Sequence, residues 1–187
     1  MLAESEKILK KRLGHNLFLV LIAAAIVAFD QWTKLLIRQN LSWTEALEPI
    51  PALAPFFRIV NWQNTGAAFG LFHNANLVLA ILAVLISIVI VYYYQHIDTK
   101  EVLIKVALAM QLGGAIGNLV DRITQGYVTD FLSLGRFPVF NVADSSVTVG
   151  VALLLLAIYL QEGREKHAGS EDKPSTKEQL PDSNGKP

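Results

Sequence analysis

The chain has 187 residues, of which 52% are hydrophobic and 17% are charged, and its mean hydropathy is +0.39. Its 16 basic and 16 acidic residues give a formal net charge of zero, so no basic surface of the kind that binds nucleic acid is expected. It has no cysteines, which excludes thiol nucleophiles, disulfides and thiolate metal sites.

The apolar residues fall into four long runs, and we expect an all-α polytopic membrane protein with four transmembrane helices. Each run is close to the ~20 residues that cross the hydrocarbon core of a bilayer. The predicted spans are residues 15–37, 75–94, 102–120 and 142–160. A basic start followed by a short apolar run is also typical of a cleaved signal peptide. The apolar residues Trp32, Leu35 and Leu36, which follow Asp30, favour a retained first helix instead.

Two polar loops separate the spans, and a polar tail follows them. The first loop, residues 38–74, contains an apolar and aromatic stretch at 56–62 that predicts a short extended segment near the membrane interface. The second loop covers residues 121–141. We expect residues 1–161 to form a single membrane-embedded domain. Residues 162–187 have almost no apolar content and are expected to form a disordered tail.

The basic residues are distributed unequally between the two sides of the predicted spans. Lys7, Lys10, Lys11 and Arg12 precede the first span, whereas the two long loops carry few basic residues for their length. The positive-inside rule therefore places both termini in the cytoplasm and the long loops outside. This orientation collects polar residues near the outer ends of the spans: Asp30, Lys34, Asn64, Asn118, Asp121, Arg122, Asp130, Asn141 and Asp144.

Asp130 and Asp144 are the candidates for catalysis. Two nearby carboxyl groups can hydrolyse a peptide bond, because one deprotonates water while the other, protonated, donates a hydrogen bond to the carbonyl oxygen. Such a pair shares a proton and titrates jointly. The spacing alone leaves the alternative that Asp130 is a turn residue and Asp144 a helix cap. Ser145 and Ser146 have no histidine or lysine near them in sequence to serve as a base, and no metal or cofactor site is expected.

Helical spacing predicts two further contacts. Asp30 and Lys34 are four residues apart and face each other on one helix, and a structural ion pair is the favoured interpretation. Asn118 and Asp121 are three residues apart and also share a face. The G-x-x-x-G pattern at residues 113–117 predicts close packing of helices.

Three other polar residues have two interpretations each. Arg122 adjoins Asp121 and so does not share its helix face, which means that each has another partner. Arg122 either contacts a catalytic aspartate, a substrate carbonyl or a headgroup, or anchors its helix at the interface. Asn64 and Asn141 either orient a substrate backbone or stabilise turns.

Five motifs occur in order between Asp30 and the fourth span. They are D-Q-x-x-K at Asp30–Lys34, N-T-G-A-A-F-G at Asn64–Gly70, G-G-A-x-G-N-x-x-D-R at Gly113–Arg122, V-T-D-F at Val128–Phe131 and F-N-V-A-D-S at Phe140–Ser145. Through these motifs the sequence closely resembles lipoprotein signal peptidase, also called signal peptidase II, the bacterial aspartic endopeptidase of the inner membrane (peptidase family A8).

The resemblance implies that the catalytic pair is Asp130 and Asp144, and not Asp121. It implies that the site is supported, or the substrate bound, by Asp30, Lys34, Asn64, Gly66, Asn118, Asp121, Arg122, Asn141 and Ala143. The implied substrate is a prolipoprotein that carries a diacylglyceryl group on its lipobox cysteine and is cut just before that cysteine. The implied fold adds a small extracytoplasmic β-cradle and a short surface helix. We expect a monomer in the bacterial cytoplasmic membrane that uses no cofactor and no metal and contacts membrane lipid.

Two other classes of function are possible on the residues alone. A small ion or proton transporter would have ionisable groups throughout the membrane depth, whereas the middles of the first, second and fourth spans carry none. A non-enzymatic membrane scaffold would keep its function after substitution of both Asp130 and Asp144. The resemblance favours the peptidase.

Overall fold

The computed structural model describes residues 2–66, 76–98 and 100–171. Within these ranges four α-helices are long and apolar enough to cross a membrane, so the predicted fold class is confirmed. The helices are α1 (Leu2–Asn40), α2 (Asn76–Tyr94), α3 (Val102–Thr124) and α4 (Val142–Glu171).

Helix α3 lies at the centre of the bundle and packs against the other three helices. Half of its apolar window is buried, compared with 11–22% in the other three helices. Glycines allow this close packing: a Cβ at Gly113 would lie 2.9 Å from Ile26 Cβ, and one at Gly117 would lie 2.8 Å from Asp30 Oδ2. The packing role predicted for these two glycines is therefore correct, and it brings α1 within reach of the polar face of α3.

A small antiparallel sheet covers one end of the bundle. Its strands are β1 (Ala46–Leu47), β2 (Phe57–Asn64) and β3 (Val128–Leu134), in that order, and a short 3₁₀ helix (Pro51–Leu53) lies between the first two. These elements match the cradle, the extended segment and the short surface helix that were expected. Gly126 has a φ of 79°, which is strained for residues with a side chain, and it turns the chain from α3 directly into β3.

Two helices extend past their predicted spans. Helix α1 begins at Leu2, and α4 continues to Glu171, so the disordered tail predicted from residue 162 is helical in its first part. The residues after the fourth span include Glu, Arg, Lys and Ala, which favour helix even where they are not apolar. The remainder of the predicted tail, residues 172–187, and the end of the second motif, residues 67–70, lie outside the described residues.

Candidate active site

Asp130 and Asp144 reach the site from neighbouring elements. Asp130 lies in β3, pairs with Trp62 of β2 and is 1% exposed. Asp144 lies in the first turn of α4, where it forms a reciprocal cap with Asn141. The Asp144 backbone N–H donates to Asn141 Oδ1 at 2.9 Å, and the Asn141 backbone N–H donates to Asp144 Oδ2 at 3.2 Å. The capping role considered for Asp144 is therefore correct, but it occupies only one of its two carboxylate oxygens.

Asn141 joins the two aspartates. Its Nδ2 donates to Asp130 Oδ1 at 2.7 Å, while its main chain donates to Asp144 as part of the cap. Asn141 is fully buried, and the strand residues beside Asp130 are held to the residue before it, since Phe131 and Leu132 both donate to the Phe140 carbonyl. One asparagine thus sets the position of both carboxyl groups.

The electrostatic environment of Asp130 opposes its ionisation. Burial, and secondly the negative charge of Asp144, raise the pKa of Asp130 from its ordinary value of 3.8 to about 7. Hydrogen bonds from Asn64 and Asn141 and the positive charge of Lys34 act in the opposite direction. The two carboxyl groups therefore interact, and the surroundings of Asp130 favour its protonated form more than those of an exposed aspartate would.

Asp144 is oriented from the other side by a chain of hydrogen bonds that begins at Lys34. Lys34 Nζ donates to Asn118 Oδ1 at 3.0 Å, and Asn118 Nδ2 donates to Asp144 Oδ1 at 2.7 Å. A lysine ammonium group can only donate, so it fixes which end of the Asn118 amide faces Asp144. Lys34 is fully buried, so water does not weaken this arrangement.

Lys34 also forms ion pairs with two buried carboxylates, to Asp30 at 2.8 Å and to Asp121 at 3.3 Å. The pairing of Asp30 with Lys34 was predicted from their spacing, and the structure adds the second acid. Asp30 Oδ1 accepts the backbone N–H of Ala143 at 2.9 Å, and Asp121 Oδ2 accepts that of Thr129 at 2.9 Å. Through these hydrogen bonds the two paired aspartates hold the start of α4 and strand β3 to α1 and α3.

Two members of this cluster were not named as site residues from the sequence, although Gln31 belongs to the D-Q-x-x-K motif. Gln31 Nε2 lies 3.2 Å from both Asp30 Oδ2 and Asp121 Oδ1, and Arg38 Nη1 lies 3.5 Å from Asp121 Oδ1. Arg38 follows Lys34 by four residues, so helical spacing could have indicated it. Gln31 adjoins Asp30, and the spacing rule for helix faces gives no signal for adjacent residues.

Asn64 has the turn role considered for it and also contacts Asp130. Its Nδ2 donates to Asp130 Oδ2 at 2.8 Å, and its Oδ1 accepts the Gly66 backbone N–H at 3.0 Å. The turn at Gly66 therefore fixes the orientation of the amide that contacts the carboxyl group. This explains why both residues belong to one motif.

Arg122 lies next to the carboxyl pair without a direct ion pair to it among the contacts of the described residues. Its Nη1 donates to the Asn118 carbonyl at 3.3 Å, and its positive charge acts on Asp144, Asp130 and Asp121. The guanidinium group has further donors, so it can also contact a ligand.

The carboxyl pair opens onto a cavity of about 1240 Å³. Small-molecule pockets are typically roughly 300–1,000 Å³, so this space suits a larger ligand. Its polar end contains Asn64, Asn118, Arg122, Asp130 and Asp144, and its apolar wall on α2 contains Leu79, Leu82, Ala83 and Ile86. The carboxyl pair and an apolar wall therefore line one cavity.

Comparison with known protein families gives a match over most of the chain. Residues 22–160 match the sequence model of signal peptidase (SPase) II. The chain is 40% identical to a lipoprotein signal peptidase of Moorella thermoacetica over 146 residues, which covers 78% of this chain and 95% of the relative. It is 42% identical to one of Brevibacillus brevis, covering 75% of this chain and 93% of the relative. It is 38% identical to one of Acinetobacter baumannii, covering 82% and 90%.

The fold is also similar to those of solved bacterial membrane enzymes. One bacterial membrane enzyme, determined by the in meso method at 2.3 Å resolution, superposes with a TM-score of 0.72 and 33% sequence identity, covering 78% of this chain and 90% of that one. A second, determined at 1.9 Å resolution, has a TM-score of 0.68 and 35% identity, covering 75% and 91%.

Proposed function

The chain belongs to the signal peptidase II family, and from that premise we propose that Asp130 and Asp144 are the two aspartates with which it cleaves its substrate. Members of this family are multi-pass membrane enzymes that remove signal peptides from prolipoproteins by an aspartic mechanism. The observation that carries the assignment is the position of Asn141, which donates to Asp130 at 2.7 Å and forms a reciprocal cap with Asp144.

Asp144 acts first as the base. Both of its oxygens accept hydrogen bonds, from Asn118 Nδ2 and from the Asn141 backbone, and these fix the orientation of the carboxyl group. It removes a proton from a water molecule, and the hydroxide adds to the carbonyl carbon of the bond to be cut. Asp130, which holds a proton because its pKa is raised to about 7, donates that proton to the carbonyl oxygen. The product of this step is a neutral gem-diol.

The second step breaks the amide bond. The proton on Asp144 passes to the amide nitrogen, the C–N bond breaks, and one hydroxyl of the gem-diol returns its proton to Asp130. Both carboxyl groups then have their starting protonation states. The positive charge of Arg122 beside the pair stabilises the negative charge as it passes from Asp144 to Asp130 in the first step and back in the second.

The shape of the cavity supports a substrate that is part peptide and part lipid. The apolar wall on α2 suits an acyl chain or an apolar signal-peptide segment, while the polar end holds the bond to be cut. We therefore propose a diacylglyceryl prolipoprotein, cut just before its lipidated cysteine. The enzyme would work as a monomer without cofactor in the bacterial cytoplasmic membrane, with both termini in the cytoplasm and the site near the outer face, as the distribution of basic residues favours.

Single substitutions of the two aspartates test this function. In Asp130→Asn and Asp144→Asn we expect kcat to fall by roughly 10²- to 10⁴-fold, because each removes one general acid–base group. The measurement is cleavage of a diacylglyceryl prolipoprotein by the purified full-length protein, followed on a gel. Asp98→Asn, at an exposed aspartate between α2 and α3, is the matched control and should cleave like the parent. Normal cleavage by both site variants would rule out the aspartic mechanism.

A further inference from the structure

A third polar residue of α3, besides Asn118 and Arg122, lines the cavity well away from the carboxyl pair. Gln111 of α3 lies seven residues before Asn118, which is two helical turns, or about 10 Å toward the middle of the helix. Both residues line the cavity. Leu82, Ala83 and Ile86 of α2 are among the apolar residues that line the same cavity.

One donor of the Gln111 side chain lacks a partner within the described part of the chain. Its Nε2 is buried and has no hydrogen-bond acceptor among those residues. A buried donor without a partner destabilises the folded protein by about 1–3 kcal/mol, so such a group generally has a functional explanation. Gly150 of α4 packs on this side chain, since a Cβ at Gly150 would lie 2.8 Å from Gln111 Cγ. The aliphatic part of the side chain is therefore fixed, whereas the terminal amide can rotate at low energetic cost. This rotation can direct Nε2 toward the cavity.

A signal peptide contains hydrogen-bond acceptors at the membrane depth of Gln111. Its apolar segment crosses the membrane as a helix, and the last four carbonyl groups of any helix lack a partner within it. The residues at the cleavage site must be extended for the bond to reach the carboxyl pair. Three extended residues span about 10 Å. The carbonyl groups at the end of the substrate helix would therefore lie at the depth of Gln111, in apolar surroundings where an unpaired carbonyl is costly.

We propose that the Gln111 amide donates a hydrogen bond to a main-chain carbonyl at the C-terminal end of the substrate's signal-peptide helix. Gln111 is thus a substrate-positioning residue, and the contact defines where the helix stops and the extended segment begins. This inference rests on the proposed function. It assigns to this residue a contact about three residues before the bond that is cut.

Gln111→Met removes the amide and keeps an unbranched side chain of similar length beside Gly150. We expect KM for a diacylglyceryl prolipoprotein to rise about 3- to 10-fold with kcat nearly unchanged, because the lost hydrogen bond serves binding rather than the chemical step. Gln125→Met is the matched control, since Gln125 is exposed at the end of the same helix and does not line the cavity. An unchanged KM, or a loss confined to kcat, would overturn the inference and leave the proposed function intact.

A second measurement uses the unmodified enzyme, so it does not depend on folding of a variant. Substrates are synthesised with single amide-to-ester replacements at successive positions before the cleavage site, since an ester carbonyl is the weaker acceptor. We expect one replacement to raise KM for the parent enzyme and to have no effect with Gln111→Met. If no replacement raises KM, the inference fails. If KM is raised instead for a substrate with ether-linked lipid chains, the hydrogen-bond partner of Gln111 is a lipid ester carbonyl and the inference is also wrong. Failure of the parent to cleave any of these substrates would refute the proposed function itself.

Discussion

Removal of the Asn64 amide tests the electrostatics of the carboxyl pair. Asn64 Nδ2 donates to Asp130 Oδ2 at 2.8 Å, and this hydrogen bond lowers the pKa of Asp130 because it favours the ionised carboxylate. In Asn64→Ala the hydrogen bond is lost, while burial and the charge of Asp144 continue to raise the pKa. The pKa of Asp130, about 7 in the parent, is therefore expected to rise further.

The size of the change follows from the strength of the lost bond. Hydrogen bonds to charged groups contribute roughly 1.5–3 kcal/mol, and one pKa unit corresponds to about 1.36 kcal/mol. We expect the pKa of Asp130 to rise by about one unit, which corresponds to the lower end of this energy range, because water in the cavity can replace the hydrogen bond from the amide. Asp130 acts in its protonated form, so activity is present below its pKa and is lost as the pH rises through it. The alkaline limb of kcat/KM should lie near 7 in the parent and about one pH unit higher in Asn64→Ala.

The assay is kcat/KM for a diacylglyceryl prolipoprotein measured from about pH 5 to pH 9, because this parameter reports the pKa values of the free enzyme. Asn40→Ala is the control: its amide donates to the Leu36 carbonyl at the exposed end of α1, and its loss should leave the profile unchanged. An alkaline limb that stays in place or moves to lower pH in Asn64→Ala would refute the assignment of Asp130 as the proton donor.

Two further substitutions test the framework of the site. Lys34→Met leaves the buried Asp30 carboxylate without an ion-pair partner and leaves Asp121 with only Arg38 at 3.5 Å, so we expect the protein to lose about 3–5 kcal/mol of stability, seen as a lower Tm in detergent. Gly114→Ala places a methyl group against the carbonyl oxygen of Ala143, so we expect a cost of about 1–3 kcal/mol and a lower kcat, because the start of α4 is displaced.

Both framework variants have controls elsewhere in the bundle. Lys100→Met removes an exposed lysine near the start of α3 and should leave Tm unchanged. Gly14→Ala adds a methyl group where no atom lies within 4 Å, so it should leave kcat unchanged. A Lys34→Met protein as stable as its control would contradict the buried ion-pair cluster, and a fully active Gly114→Ala protein would contradict the tight contact between α3 and α4.

The sequence by itself determined the parts of this protein that depend on local periodicity and length. Four apolar runs of membrane length predicted the helices, and the four-residue spacing of Asp30 and Lys34 predicted their ion pair. The motifs singled out Asp130 and Asp144. Spacing alone left Asp144 open as a cap or a catalytic group, and the structure gives one oxygen to the cap and the other to Asn118.

Only the tertiary structure decided which polar groups from different elements meet. Three features depend on how α1, α3, α4 and β3 are placed against one another. They are the contact of Asn141 with both aspartates, the hydrogen bonds from Lys34 through Asn118 to Asp144, and the Gln111 Nε2 that has no partner among the described residues. Helical and strand periods define the face of each element, but not its depth or rotation relative to its neighbours. Those are set by packing, here by glycines of α3 that let α1 and α4 approach, and packing involves residues far apart in the chain.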